Sequence, residues 1–154
     1  MELKLKRTAN SRMGMEGLHG MTSKLTVGLC DVYLKTAWVE GKIVRIDITL
    51  SRGQGDIDQS AYYLARAWVE DSCRMASKLL ERGAPIEEIC SMWVGVEGFP
   101  NGFCPQLEGI MKGPLHAVAM HIRKRHDVWK WRIEQLTSRV AESKIQESQE
   151  AVEG

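Results

Sequence analysis

Residues 32–89 constrain the fold more than any other stretch: two strand-like segments, a glycine loop, then a long amphipathic segment ending at a glycine and a proline. Val32–Val39 (VYLKTAWV) alternates and is rich in β-branched and aromatic residues, which favour a pleated, half-buried surface. Glu40-Gly41 predicts a hairpin turn, with Gly41 supplying the permissive backbone. In Lys42–Leu50 (KIVRIDITL) the apolar set is Ile43, Ile46, Ile48 and Leu50. Ile46, Ile48 and Leu50 share one face, and Arg45, Asp47 and Thr49 the other. One face is buried and one wet, as in an antiparallel sheet covered by helices on one side.

The loop Ser51–Asp58 (SRGQGDID) follows, with Asp58 or Ser60 as the N-cap of the next helix. Over 61–81 the expected apolar face is Ala61, Leu64, Trp68, Met75 and Leu79, widened by Ala65, Ala76 and Leu80. Gly83 as the residue past the cap and Pro85 beyond it stop this helix. Pro85 with Glu87-Glu88 opens a short helix over Ile86–Trp93, the acids lying at the positive end of its dipole.

The remainder completes an α+β fold: a small antiparallel sheet packed on a long central helix, with a helical C-terminal extension. Residues 1–21 read as a flexible basic arm, and Thr22–Gly28 as an edge strand. Residues 22–112 form the α+β domain. Within it Val94–Pro105 is a glycine- and proline-rich loop, and Gln106–Met111 a helical turn. A last helix occupies 113–143, from Pro114 to about Ser143, and 144–154 is an acidic, frayed tail. From Ile122 onward that helix is heptad-like through Trp129, Ile133, Leu136 and Val140, with His126 filling one seam position.

At 154 residues the chain suits one domain with a real core. A net charge of +1 gives little whole-molecule attraction to nucleic acid. No apolar run approaches the roughly 20 residues needed to cross a bilayer, so no membrane association is expected. The charged start (MELKLKRTANSR) lacks the apolar core of a secretory signal, and Cys30, Cys73, Cys90 and Cys104 are widely spaced. Free thiols in a cytoplasmic setting follow, without a zinc site. His116, His121 and His126 point about 140° apart in succession on a helix and cannot share a metal. Cys104 has no nearby histidine, Ser72 and Ser77 read as helix packing residues, and Glu70-Asp71 diverge. No catalysis and no cofactor are therefore expected.

In its order of motifs the chain resembles the TSCPD domain, found at the C-terminal end of B12-dependent ribonucleotide reductases and as small stand-alone proteins. The matching pieces are Thr22–Gly28 (TSKLTVG), Glu40-Gly41-Lys42, Arg45-Ile46-Asp47-Ile48, Gly53-Gln54-Gly55-Asp56 and residues 76–89 (ASKLLERGAPIEEI). Gly55-Asp56 stands where that family has a Gly-Ser step, adding a negative charge. The resemblance spans roughly 22–95 and implies an accessory or binding role without naming a substrate.

Three segments invite a ligand. Arg52, Gly53, Gln54 and Gly55, beside a helix N-terminus, offer a cation and backbone donors to a phosphate. Gln54 and Gln59 would read a base or ribose, Tyr62 and Tyr63 would stack, and Arg66 would add charge. The alternative is a plain connecting loop. Phe99, Asn101 and Phe103 suit a lid over a planar ligand, or else the rings fill the domain's own core. Residues 121–132 carry five Lys/Arg against one Asp, interleaved with Trp129 and Trp131, a pattern that fits single-stranded nucleic acid or simply a solvated face. The expected function is a non-catalytic module that binds or sequesters a small phosphorylated, nucleotide-like ligand. Its glycine loop and aromatic lid would converge on a cleft, and it would form a homo-oligomer. The alternative expectation is an accessory protein that docks on a ribonucleotide reductase or another partner in nucleic-acid metabolism.

Overall fold

The computed structural model describes residues 3–5, 19–52 and 57–153. Most of the expected basic arm and the loop 53–56 lie outside the described residues. Four antiparallel strands form one sheet in sequence order: β1 (Leu3–Leu5), β2 (His19–Val27), β3 (Cys30–Val39) and β4 (Lys42–Arg52). Helix α1 (Gln59–Glu81) follows, then α2 (Ile86–Trp93). A small hairpin of β5 (Gly102–Cys104) and β6 (Gly109–Met111) precedes the long helix α3 (Pro114–Glu153). The fold is α+β, as the hydrophobic patterning requires.

The β3–β4 turn follows from its residues. Glu40 and Gly41 both take positive φ, 51° and 76°, which matches the right-handed twist of the two strands. Register then sets the faces: Leu25, Val32 and Leu50 lie side by side, as do Met21, Thr36 and Ile46, and all but Thr36 are apolar and buried. Thr36 satisfies its buried hydroxyl by accepting from Trp38 Nε1 at 2.9 Å. Ile43 falls out of step with Ile46 by one residue. A bulge resolves this: Trp38 pairs with Ile43 but Ala37 with Arg45, so β4 spends an extra residue there. Both isoleucines therefore reach the core.

The expected α1 face needs correction. Leu64, Met75 and Leu79 are exposed, and Trp68 is only partly buried. The buried set is Tyr62, Ala65, Val69, Cys73, Ala76 and Leu80. Small side chains on that face let α1 approach the outer edge of β4 closely, and bulkier residues are left outside. Two α1 side chains then cap that edge. Tyr62 Oη donates to Leu50 O at 2.9 Å. Ser77 Oγ accepts from Ile46 N and donates to Ile46 O. Outward-facing backbone groups of an edge strand are thus satisfied without another strand.

The other boundaries shift too. β2 starts at His19, not Thr22, and β1 shields its first residues from the edge. Of the expected helical turn Gln106–Met111 only Gln106 and Leu107 are helical, within the 3-10 turn Pro105–Leu107, and Gly109–Met111 is a strand. α3 continues to Glu153 rather than stopping near Ser143. Its first half covers the core: Ile122, Trp129 and Ile133 are buried, and the His126 ring lies 5.3 Å from Trp38. The heptad seam is therefore spent on the chain's own domain as far as Ile133, and Val140 is exposed. Among the described residues no helix is long and apolar enough to cross a membrane.

A groove between the open sheet face and helix α1

Among the described residues, the sheet face turned away from the core and one flank of α1 line a groove of about 700 Å³. Its floor follows from strand register: Thr22, Lys35 and Asp47 stand abreast, and so do Gly20, Ala37 and Arg45. Its wall follows from helical period: Glu70, Arg74, Ser77 and Glu81 recur at steps of four, three and four on one flank. Lys78 and Cys73 complete the lining.

Charge in the groove is mixed and unevenly paired. Arg45 meets Glu81 at 3.3 Å, and Arg74 meets Asp71 at 3.4 Å. Among the described residues Lys35 and Lys78 have no carboxylate within ion-pair distance. Burial pushes the Cys73 thiol up to about 12, against the pull of its Ile48 hydrogen bond, with Asp47 and Glu70 adding to the rise. Cys73 is therefore held as a neutral thiol at neutral pH. The lining offers cations, carboxylates and hydroxyls.

The sequence-predicted residues divide around this groove. Gly53, Gln54 and Gly55 lie outside the described residues. Gln59 and Arg66 are exposed, and helical spacing places them on the groove flank of α1, toward its N-terminus. Arg66 is tied to the groove's Glu70 at 3.3 Å. The Arg52 guanidinium carbon lies 5.4 Å from the Tyr62 ring centre and 5.9 Å from that of Tyr63. The tyrosines expected to stack on a ligand thus hold Arg52 instead.

Three donors of the first turn of α1 are already taken. The Asp58 carboxylate accepts from Ser60 N at 2.9 Å and from Ala61 N at 3.2 Å. Asp58 O accepts from Tyr62 N at 3.0 Å. The helix end is capped by the chain's own negative charge.

The aromatic segment does not close over this groove. Phe99 is partly buried against the core. Gly98 presses on the Trp68 ring, and Trp68 projects from α1 on the flank away from Arg66 and Glu70. Asn101 spends its amide on Gly98 O at 3.3 Å. Phe103 is exposed, and its carbonyl accepts from Gly28 N at the β2–β3 turn. The basic segment of α3 is likewise only half as aromatic as its sequence suggests. Trp129 is buried, while Trp131 is 60% exposed.

Lys35, Arg74 and Lys78 escaped the sequence reading. The signal for Lys35 was present, since it continues the wet face on which Arg45, Asp47 and Thr49 were placed. Arg74 and Lys78 had no signal until the buried face of α1 was known. The chain matches no family model, no curated protein and no solved structure.

Proposed function

We propose that this protein binds a small phosphorylated, nucleotide-like ligand in the groove and leaves it chemically unchanged. One observation carries the reading: a groove of about 700 Å³ whose lining includes Lys35 and Lys78, two cations that form no ion pair among the described residues. That volume lies within the roughly 300–1,000 Å³ of small-molecule sites. The two ammonium groups would neutralise phosphate, and Asp47 and Glu70 would accept from sugar hydroxyls or base amines. Arg52 and Arg66, farther along the same flank, would extend the cationic track.

The test is a thermal-shift screen of the purified chain against nucleotides and cyclic nucleotides. A ligand at ~100 times its Kd stabilises by roughly 2.7 kcal/mol. Lys35→Ala with Lys78→Ala should abolish the shift. Absence of a shift with every member would overturn the reading.

A second reading, docking on a larger enzyme, has one observation behind it. Leu64 and Met75 stand 74% and 69% exposed on α1, an apolar stripe of the sort that marks interaction surfaces. Co-purification with a large partner, lost on Leu64→Lys with Met75→Lys, would favour it.

A further inference from the structure

Over residues 134–152 of the 40-residue helix α3 no residue is buried. The rest of the helix, about 30 Å long, has no core of its own to lie on. A helical segment of that length is marginal alone in water, and tertiary packing normally supplies the balance.

A second seam runs along α3 opposite the one spent on the core. Trp131, Ser138, Ile145 and Val152 recur every seven residues, and Gln135, Glu142 and Gln149 each follow four later. Trp131, Ile145 and Val152 are 60%, 59% and 86% exposed. Continued back to Val128, the seam spans residues 128–152, apolar toward its two ends (Val128 and Trp131, Ile145 and Val152) and polar between them.

Charge selects both partner and direction. Residues 114–133 hold five Lys/Arg and one Asp, whereas 134–153 hold two Lys/Arg and five Glu. Among the described residues none of those five cations forms an ion pair. Arg123 and Lys124 bond only to Ser91 Oγ and Gln106 O. Two copies laid antiparallel place each basic half beside the other's acidic half and oppose their macrodipoles. Laid parallel, like charges would face each other along the whole seam. We propose that a second copy of this chain covers the outer seam of α3, antiparallel and centred near Ser138.

Cross-linking the full chain tests this directly. In the antiparallel pair Ser138→Cys faces its own counterpart, while two Val152→Cys residues lie about 40 Å apart. Mild oxidation should therefore give a covalent dimer with Ser138→Cys and none with Val152→Cys. The native cysteines are all buried. Sedimentation of the unmodified chain should show a dimer that Ile145→Lys converts to monomer and that high salt weakens about tenfold. Circular dichroism of each variant checks that the domain remains folded. Equal cross-linking of both cysteine variants would replace the antiparallel pair with a parallel one. A monomer at every concentration, including one that binds single-stranded DNA through the basic half, would overturn the proposal.

Discussion

Ser77 Oγ bonds both backbone groups of Ile46, accepting from its N–H at 3.1 Å and donating to its carbonyl at 3.0 Å. One hydroxyl thereby takes the place of a neighbouring strand at the sheet edge. Ser77→Ala leaves both groups of Ile46 without a partner under the helix, at a cost of about 1–3 kcal/mol. The midpoint of urea unfolding should fall accordingly. Amide exchange at Ile46 should quicken more than at Leu34 on the adjacent strand. Unchanged exchange at Ile46 would mean that the hydroxyl does not seal the edge.

Two glycines with positive φ separate backbone strain from crowding. Gly28 has φ +58°, and a Cβ there would collide with the carbonyl of Asn101. Gly83 has φ +98° with nothing within 4 Å of such a Cβ. Gly83→Ala should cost about 1 kcal/mol, from strain alone. Gly28→Ala should lower Tm by clearly more, because the 101–103 segment must also move away from the β2–β3 turn. Equal losses at the two sites would show that the Asn101 contact carries no energy.

His121 predicts a loss of stability in mild acid. Its two ring nitrogens are buried without hydrogen-bond partners among the described residues, and the ring lies 5.2 Å from Trp129. Burial, then the Arg125 and Lys124 charges, hold its pKa down at about 4, against an ordinary 6.5. The unfolded chain binds the proton more readily than the folded one. Stability from the neutral imidazole is thus fully present above pH 6.5 and is lost as pH falls from 6.5 toward 4. The loss is on the order of 3 kcal/mol. His121→Leu should flatten that part of the stability–pH curve relative to the parent. If the two curves stay parallel between pH 6.5 and 4, the imidazole is not the sensing group.

Local rules carried much of the fold from sequence to structure. The Glu40-Gly41 turn, the Asp58 cap, the Gly83 stop and the inner seam through Trp129 and Ile133 each follow from a few neighbouring residues. Features that depend on a distant partner were not legible. The buried flank of α1 was misplaced because Leu64 and Met75 are more apolar than Ala65 and Ala76. Closeness to β4 and hydroxyls for its edge decided the matter instead. The bulge beside Val44 appears in sequence only as Ile43 out of phase. The groove was half visible, in the alternation of Arg45, Asp47 and Thr49, because its other wall waits on the orientation of α1.

Tyr62 and Ser77 bond outward backbone groups of Leu50 and Ile46 in β4, and Gln106 Oε1 accepts from Thr26 N along β2. A stray peptide strand therefore meets side chains where it would need amides, which discourages runaway stacking into fibres.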